Sequence, residues 1–310
     1  MSRADVIFKE MCKDILENGT DTKGAEVRAV WADTNEPAYT IKKFGVVNRY
    51  DLREEFPAIT LRKTGIKSAM DEILWIFQRK SNNIKDLKPH IWDSWADKNG
   101  SIGKAYGYQI GKRFVHHKAE RSKRDESLLK EYPSLTIIEG DDGLDWYYMD
   151  QMDAVLYDLK FNPFSRRIMT SLWNFEDLHE MNLQPCCWSC NFSVTDEGKD
   201  KLVLNLSLKQ RSNDVLAANN WNVCQYALLL MMVAQVCNME AGVLLHIIDD
   251  AHIYDRHVDS IKELLTREEF KAPIVKLNKE VKNFYDFTTD DLEIIDYKHN
   301  EQIKNIPIAV

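Results

Sequence analysis

The stretch between residues 183 and 214 constrains the fold most, because polar and apolar side chains alternate along it. Four leucines occupy every second position from 202 to 208, which is the period of a half-buried strand. Residues 196–198 precede this run and end in glycine, which tolerates the positive φ that tight turns often need. The pattern therefore predicts a β-hairpin.

A hairpin brings its two far ends together, and both ends of this one carry chemically useful side chains. One end holds Cys186 and the other holds Arg211, so we expect the thiol and the guanidinium to lie close in space. A neighbouring guanidinium lowers the pKa of a thiol, and the thiolate is the nucleophilic form. Cys186 is therefore a candidate nucleophile.

Two other interpretations of this cysteine cluster stay open. Cys187 and Cys190 have the spacing of a zinc or redox pair, but the chain has no second such pair and His179 is the only histidine nearby. Alternation along a strand also places Cys187 and Cys190 on opposite faces, which disfavours both uses. Alternatively, all three cysteines are small core residues, which is the commonest role of an arbitrary cysteine.

The charge of the chain limits its partners. A net charge of −8 and an isoelectric point near 5.6 argue against general binding to DNA or RNA, which requires a basic surface. An anionic substrate would therefore need a local concentration of positive charge. No metal site is expected, because the cysteine cluster lacks a second pair of ligands and the histidine pair at 116–117 is more typical of surface.

The N-terminal residues, the apolar runs and the cysteines bear on the cellular location of the protein. The first residues form an amphipathic pattern with Val6, Ile7, Met11 and Ile15 on one side, which is typical of a helix and not of a signal peptide. The longest apolar run, residues 227–234, is too short to span a membrane. Six cysteines without an export signal suggest reduced thiols, so we expect a cytoplasmic location.

Neither an internal repeat nor a low-complexity linker divides the 310 residues, so we predict one α+β domain over residues 1–310. Residues 80–147 are expected to form a peripheral small-domain excursion, in which His116 and His117 are more typical of surface than of a metal site. The periodicity predicts, besides the first helix, helices at 66–79, 150–160, 221–238 and 258–268, and strands at 38–52, 58–61, 168–173, 243–254, 274–278 and 292–298.

Three further features have a structural and a functional interpretation each. Glu72 lies within an apolar helix, where an acidic residue is either exposed on the polar face or functional. His252 and Tyr254 share one strand face, where they either complete core hydrogen bonds or bind a sugar hydroxyl together. The doublet Arg166 and Arg167 is ordinarily surface charge, but beside a strand it also suggests an anion clamp.

Taken in order, short motifs along nearly the whole chain resemble thymidylate synthase. No single motif decides the resemblance, but their order and spacing are specific. The motifs are DEILWIFQ around Glu72, HIWDSWADKNGSIGKAYG from His90, SRR at 165–167, LWN at 172–174, Pro185-Cys186, QRSND at 210–214, WN at 221–222, DAHIY at 250–254 and the terminal PIAV.

The resemblance implies reductive methylation of deoxyuridine monophosphate (dUMP) to dTMP, with 5,10-methylenetetrahydrofolate as the donor of the one-carbon unit and the hydride. Cys186 would add to C6 of the pyrimidine and turn C5 into a carbon nucleophile. Glu72 and Tyr106 match the family's proton-transfer residues, and Arg211 would assist the thiolate. A pyrimidine nucleotide 5-hydroxymethylase of the same fold is the alternative.

The resemblance also assigns the two substrate sites. Asn222 matches the residue that reads uracil, since its amide supplies the donor and acceptor that cytosine would reverse. The other matched dUMP ligands are Arg28, Arg166, Arg167, Gln210, Arg211, Ser212, His252 and Tyr254. The matched folate ligands are Trp92, Trp95, Asp214 and, in the tail that closes over the folate, Ala309.

The family's architecture is a mixed, mostly antiparallel and twisted central sheet with helices packed on one face. The other face would form a homodimer interface, through which Arg166 and Arg167 reach the site of the partner subunit. The sequence departs from the family pattern at Cys187, Ala218, Asp249 and Arg256.

Overall fold

The computed structural model describes all 310 residues. Its helices are α1 (Arg3–Asn18), α2 (Ile66–Phe77), α3 (Gly107–Ile110), α4 (Leu128–Glu131), α5 (Gln151–Phe161), α6 (Asn219–Val236) and α7 (Val258–Thr266). Its strands are β1 (Thr20–Asp21), β2 (Thr40–Asp51), β3 (Phe114–Glu120), β4 (Thr136–Glu139), β5 (Leu144–Met149), β6 (Met169–Ser171), β7 (Cys187–Thr195), β8 (Val203–Gln210), β9 (Asn213–Asp214), β10 (Glu240–Tyr254), β11 (Ile274–Leu277) and β12 (Leu292–Ile295). None of the helices combines the length and the apolarity that a membrane span requires.

The central sheet has the strand order β1-β2-β10-β8-β7-β6, with β9 paired to β10. Strand β10 is antiparallel to β2 but parallel to β8 and β9, whereas the other neighbours are antiparallel. The sheet is therefore mixed and mostly antiparallel, which confirms the predicted α+β class.

The two faces of this sheet have different chemistry because side chains alternate along each strand. Leu206 and Leu208 of β8 lie opposite Leu244 and His246 of β10, and all four are buried with the helices. The apolar helix α6 packs on this face. On the opposite face Val47, Ile247 and Lys209 lie in register, and the side chain of Val47 is 57 % exposed.

The hairpin predicted from the leucine alternation is confirmed as β7 and β8. They are antiparallel, and Gly198 in the connecting loop has a φ of +69°. A β-bulge interrupts the pairing between Cys187 and Ser189, so that Cys187 lies opposite Gln210 and Cys190 opposite Leu208. Cys187 and Cys190 thus share the buried face, and the prediction that alternation separates them is wrong because one extra residue reverses the alternation.

Residues 58–61 do not form the predicted strand. Ile59 and Leu61 are buried, but the segment has no strand partner. Instead, the backbone N–H of Thr60 donates to Asp5 Oδ1 of α1 at 2.7 Å. A side chain satisfies the buried backbone here, which apolar composition alone does not reveal.

The charged region within residues 80–147 carries a small sheet with the order β3-β5-β4. The buried carboxylate of Asp145 accepts hydrogen bonds from Arg121 and Arg124 at 3.1 and 2.7 Å. Its two histidines bond to each other, with 2.8 Å between the Nδ1 atoms of His116 and His117. No three side chains of the metal-binding types are grouped to hold a metal ion in the structure.

Candidate active site

Cys186 immediately precedes β7 and is fixed from two sides. The backbone N–H of Arg211 donates to the carbonyl of Cys186 at 2.9 Å, and the N–H of Cys186 donates to the Tyr106 hydroxyl at 3.2 Å. The Arg211 Nη2 atom lies 4.0 Å from the Cys186 Sγ atom. The predicted proximity of thiol and guanidinium across the hairpin ends is therefore confirmed.

Opposing effects determine the pKa of the Cys186 thiol. Burial raises the pKa of the thiol above its ordinary value, while Arg211, Arg28 and a hydrogen bond with Tyr106 oppose the rise. The guanidinium groups act in the expected direction, but burial is the larger effect, so the expectation of a lowered thiol pKa is wrong for the chain by itself.

Arg211 also holds the loop that carries the nucleophile. Its Nε and Nη2 atoms donate to the carbonyls of Pro185 and Gln184 at 3.0 and 2.8 Å, and its guanidinium lies 5.5 Å from the Trp173 ring centroid. Arg28 is exposed and makes no side-chain hydrogen bond, which leaves its donors available to an anion.

The structure does not bring the other two predicted arginines to this cluster. Arg166 and Arg167 are both exposed and precede the edge strand β6. Neither of them contributes to the electrostatics of Cys186, as Arg211 and Arg28 do.

Behind Cys186, a chain of amides fixes the orientation of Asn222. Gln210 Nε2 donates to Asn222 Oδ1 at 3.1 Å, and Asn222 Nδ2 donates to Gln225 Oε1 at 2.9 Å. Gln210 Oε1 in turn accepts from Asn213 at 3.0 Å and lies 2.7 Å from His246 Nε2. Burial lowers the pKa of His246 to about 3, so its ring is neutral and donates through Nε2.

His252 and Tyr254 lie on one face at the end of β10, and their rings are 5.0 Å apart in an edge-to-face arrangement. The Nδ1 atom of His252 is bonded to Asp250 Oδ1 at 2.9 Å, so Nε2 is the ring atom left for a ligand. The Tyr254 hydroxyl makes no hydrogen bond within the chain, and burial raises its pKa to about 12. The pair can therefore share a ligand hydroxyl.

Glu72 of α2 is 5 % exposed, so the interpretation that it lies on a solvated helix face is wrong. Its Oε1 and Oε2 atoms accept from the indole N–H groups of Trp92 and Trp221 at 2.7 and 2.5 Å. Burial raises its pKa to about 7, with the nearby Asp71 carboxyl adding to the rise and the two indoles opposing it. A carboxyl group that titrates near neutrality is suited to proton transfer.

Tyr106 joins this carboxyl group to the nucleophile. Its ring packs edge-on against Trp92, with the centroids 4.8 Å apart, and Trp92 packs against Trp95 at 5.8 Å. Tyr106 has a φ of +47°, in the region that favours glycine. Burial raises its pKa well above the ordinary value, so the hydroxyl keeps its proton.

Asp214 and the C-terminal tail form the other side of the site. Every hydrogen bond of the Asp214 carboxylate within the chain goes to Oδ1, from the N–H groups of Leu216 and Ala217 at 3.0 Å, which leaves Oδ2 for the donors of a ligand. A carboxylate with one oxygen free of internal hydrogen bonds can accept from the N–H edge of a pterin. Trp31 and Ala309 form an antiparallel bridge that holds the tail.

Comparison with known proteins decides the family. The model of the family described as thymidylate synthase matches residues 6–310. The chain belongs to the thymidylate synthase family. Thymidylate synthases convert dUMP to dTMP with 5,10-methylenetetrahydrofolate as co-substrate, and this one-carbon methyl transfer is the reaction of the chain.

Individual thymidylate synthases are similar over the full length. The thymidylate synthases of Bacillus subtilis subsp. natto and of Bacillus phage phi3T are each 38 % identical over 306 residues, which cover 98 % of either chain. The solved structure of thermostable thymidylate synthase A from Bacillus subtilis superimposes with a TM-score of 0.83 at 37 % identity, over 99 % of both chains.

The sequence did not predict the residues that contact and orient the side chains of this thymidylate synthase site. Trp221 bonds Glu72, Gln225 and His246 orient the amide chain, and Trp173 lies under Arg211. Trp173 and Trp221 do fall within the LWN and WN motifs. His246 and Gln225 carry no local signal, since only the register of β8, β10 and α6 brings them to Gln210 and Asn222.

Proposed function

We propose that Cys186 is the nucleophile that adds to C6 of dUMP in this thymidylate synthase. The observation that carries the proposal is the arrangement of its thiol, 4.0 Å from Arg211 Nη2 and next to the Tyr106 hydroxyl, at the open end of a rigid hairpin. Two backbone anchors fix the direction of attack. Sulfur addition saturates C6 and gives C5 the electron density to form the new carbon bond.

Arg28, Arg211 and Ser212 bind the 5′-phosphate in this proposal. The Arg28 side chain makes no hydrogen bond within the chain. Arg211 donates to the Gln184 and Pro185 carbonyls through Nη2 and Nε, which leaves Nη1 for the ligand. The two guanidinium charges balance a phosphate dianion, but its three terminal oxygens accept more hydrogen bonds than these groups donate, so the site needs further donor capacity. Arg166 and Arg167 of a second subunit provide it, which accounts for their exposure away from the thiol of their own chain.

The amide chain gives the preference for uracil. Gln210 and Gln225 hold the Asn222 side chain from both sides, so its orientation is set before the base arrives. Uracil presents one acceptor and one donor to this amide, while cytosine would leave buried groups unpaired. His252 and Tyr254 bind the deoxyribose hydroxyl through the imidazole Nε2 and the phenol oxygen.

Asp214, Trp92, Trp95 and the tail at Ala309 hold the folate, which supplies the one-carbon unit and the hydride when bound. Glu72 orders the proton transfers around the base from its position between two indoles. Tyr106 keeps its proton and places its hydroxyl beside the cysteine. Closure of the tail excludes water from the reacting carbon.

The chain acts as a homodimer in this proposal, formed through the sheet face that α6 does not cover. Val47, Leu245 and Ile247 lie on that face between polar residues, and the side chain of Val47 is more than half exposed. We place the enzyme in the cytoplasm, where its six free cysteines stay reduced. One domain over residues 1–310, with the excursion at 80–147, remains the proposed organisation.

Incubation with 5-fluoro-dUMP and 5,10-methylenetetrahydrofolate tests the nucleophile. Fluorine at C5 prevents the loss of a proton there, so the ternary adduct should stay on the protein and add both ligand masses in an intact-mass spectrum. Peptide mapping should locate the adduct on Cys186. Cys187→Ala is the matched control and should keep the adduct, whereas Cys186→Ala should lose it; an adduct on Cys187 would overturn the proposal.

A further inference from the structure

His257 ends the short 3-10 turn Asp255–His257 and is fully buried beside the tail. Its Nε2 atom lies 2.9 Å from the carbonyl oxygen of Pro307. A carbonyl oxygen accepts hydrogen bonds and cannot donate, so Nε2 carries a proton. The turn is thereby bonded to the last residues of the chain.

The other ring nitrogen points toward the folate side of the site. Nδ1 of His257 makes no hydrogen bond, and Asp214 Oδ1 lies 3.5 Å away from it, just beyond good hydrogen-bond range. Burial lowers the pKa of His257, but the contact with Asp214 and the bond to Pro307 outweigh it, so the net pKa is raised. Nδ1 is a donor only in the doubly protonated imidazolium, the form that the nearby Asp214 carboxylate favours, and a small movement of either group would then join the two.

The same turn also holds the surface on which the tail lies. The backbones of Val30 and Val310 exchange hydrogen bonds at 2.9 and 3.1 Å. Arg256 lies 4.7 Å over the ring of Trp31 and bonds Asp33 at 2.9 Å. Two consecutive residues of one turn therefore hold the tail and its support. Arg256 binds the 31–36 segment on which the tail lies, and His257 binds the tail itself.

We propose that His257 is a positioning residue for methyl transfer, which links the Asp214 carboxylate to the docked C-terminal tail through the two nitrogens of one imidazole ring. This inference rests on the proposed roles of Asp214 and of the tail. A folate that engages Asp214 draws its Oδ2 to the pterin and leaves Oδ1 to the imidazole, so folate binding and tail docking support each other.

The chemical consequence concerns the fate of the methylene group on C5 of dUMP. After the one-carbon unit has been transferred and the C5 proton lost, hydride addition to the exocyclic carbon yields the methyl group and dihydrofolate. If the tail is loose, water adds its oxygen to that carbon and releases a proton, and the sulfur leaves C6. The products are then 5-hydroxymethyl-dUMP and tetrahydrofolate, without dihydrofolate.

Two substitutions separate the two nitrogens. His257→Gln places an amide N–H near the position of Nε2 and keeps the bond to Pro307 while it loses the group beside Asp214. His257→Asn keeps a donor near the position of Nδ1 and is too short to reach Pro307. We expect His257→Gln to raise KM for the folate about tenfold, the effect of one lost hydrogen bond to a charged group, with methylation still coupled.

For His257→Asn we expect uncoupling. Tritium release from dUMP labelled at C5 should exceed dihydrofolate formation by about twofold or more, and 5-hydroxymethyl-dUMP should appear by mass spectrometry. Carboxypeptidase should also remove Val310 faster than from the wild type. His299→Asn is the control, since His299 bonds only the carbonyl of Asn300, and it should leave the ratio at one.

Equal losses of tritium release and dihydrofolate in both variants, with unchanged trimming of Val310, would show that His257 has only a structural role and would overturn the proposal. A wild-type enzyme that releases no tritium from labelled dUMP would instead contradict the proposed function. The two failures are therefore distinguishable within one set of assays.

Discussion

At the scale of single residues, Glu72 shows how burial creates a group that titrates near neutrality. In water a glutamate ionises near 4.5, but burial in α2 raises its pKa to about 7 although two indoles favour the anion. The native state keeps the proton between these values, while the unfolded chain has lost it. Glu72 therefore destabilises the native state increasingly as pH rises from 4.5 to 7.

Glu72→Gln tests this linkage. Relative to its value below pH 4.5, the free energy of unfolding of the wild type should fall as pH rises through 7. A pKa shift of this size corresponds to a loss of roughly 3 kcal/mol. The free energy of unfolding of the variant should therefore improve relative to the wild type over that window in urea titrations. The exposed Glu17→Gln is the control, and a difference that does not change with pH would contradict the expectation.

The same substitution should cost activity. A glutamine cannot transfer the proton, and its single oxygen leaves one of the indoles of Trp92 and Trp221 without an acceptor. We expect kcat to fall by on the order of 10² to 10⁴, the usual contribution of one proton-transfer group. The ionisation near pH 7 in the kcat profile should also disappear, and its persistence would assign it to another residue.

Asn222→Asp should change base preference. The carboxylate offers two acceptors, so the hydrogen bond from Gln210 survives, but the partner for an acceptor on the base is gone. We expect kcat/KM for dUMP to fall by about 10²-fold or more and the inhibition constant of dCMP to drop. Asn222→Ala is the control that removes both groups, so it should weaken dUMP without improving dCMP.

At the scale of elements, alternation and helical periodicity predicted the hairpin, α2, α5, α6 and β10 closely, because each has one clearly buried face or is buried all round. The bulge in β7 has no sequence signature, so the shared face of Cys187 and Cys190 was not predictable. The apolar segment 58–61 resembles a strand, but a side chain of α1 takes the place of a strand partner.

The junction between the excursion and α5 supports an element-scale prediction. Asp150 is the N-cap of α5, accepting from the N–H groups of Met152 and Asp153 at 3.0 Å, and it pairs with Lys80. It is 2 % exposed, so loss of the carboxylate leaves the Lys80 ammonium poorly compensated. We expect Asp150→Ala to lower the free energy of unfolding by about 3–5 kcal/mol.

Asp150→Asn is the matched variant, because an asparagine keeps the cap and removes only the charge. The cap contributes about 1 kcal/mol, so the asparagine variant should be more stable than the alanine variant by that amount in urea unfolding. Identical stabilities of the two variants would show that the Lys80 pair contributes everything and the cap nothing.

At the scale of the whole molecule, the single chain brings Arg211 and Arg28 to Cys186 but leaves Arg166 and Arg167 apart from it. The motifs predicted that Arg166 and Arg167 act on a phosphate, and the chain leaves them exposed beside an edge strand, apart from Cys186. A sequence indicates which residues take part in a site but not which copy supplies them. The exposure of these two arginines is the reason why we propose that a partner subunit completes the phosphate site.

Mixing two inactive variants tests the shared site. In the proposed shared site, Cys186→Ala subunits lack the nucleophile, and Arg166→Ala subunits lack an arginine that binds the phosphate in the partner's site. In a heterodimer of the two, one site combines an intact Cys186 with an intact Arg166, while the other site lacks both. Random exchange of subunits in equal amounts should therefore restore about a quarter of the wild-type specific activity, measured as dihydrofolate formation.

The double variant Cys186→Ala/Arg166→Ala, mixed with the wild type, gives heterodimers in which each site lacks one of the two groups. It should restore nothing beyond the activity of the remaining wild-type dimers, so it controls for stabilisation by exchange alone. Native mass spectrometry of the mixtures establishes that heterodimers form. If heterodimers are present and the complementary pair stays inactive, each chain completes its own phosphate site and the second subunit does not contribute Arg166.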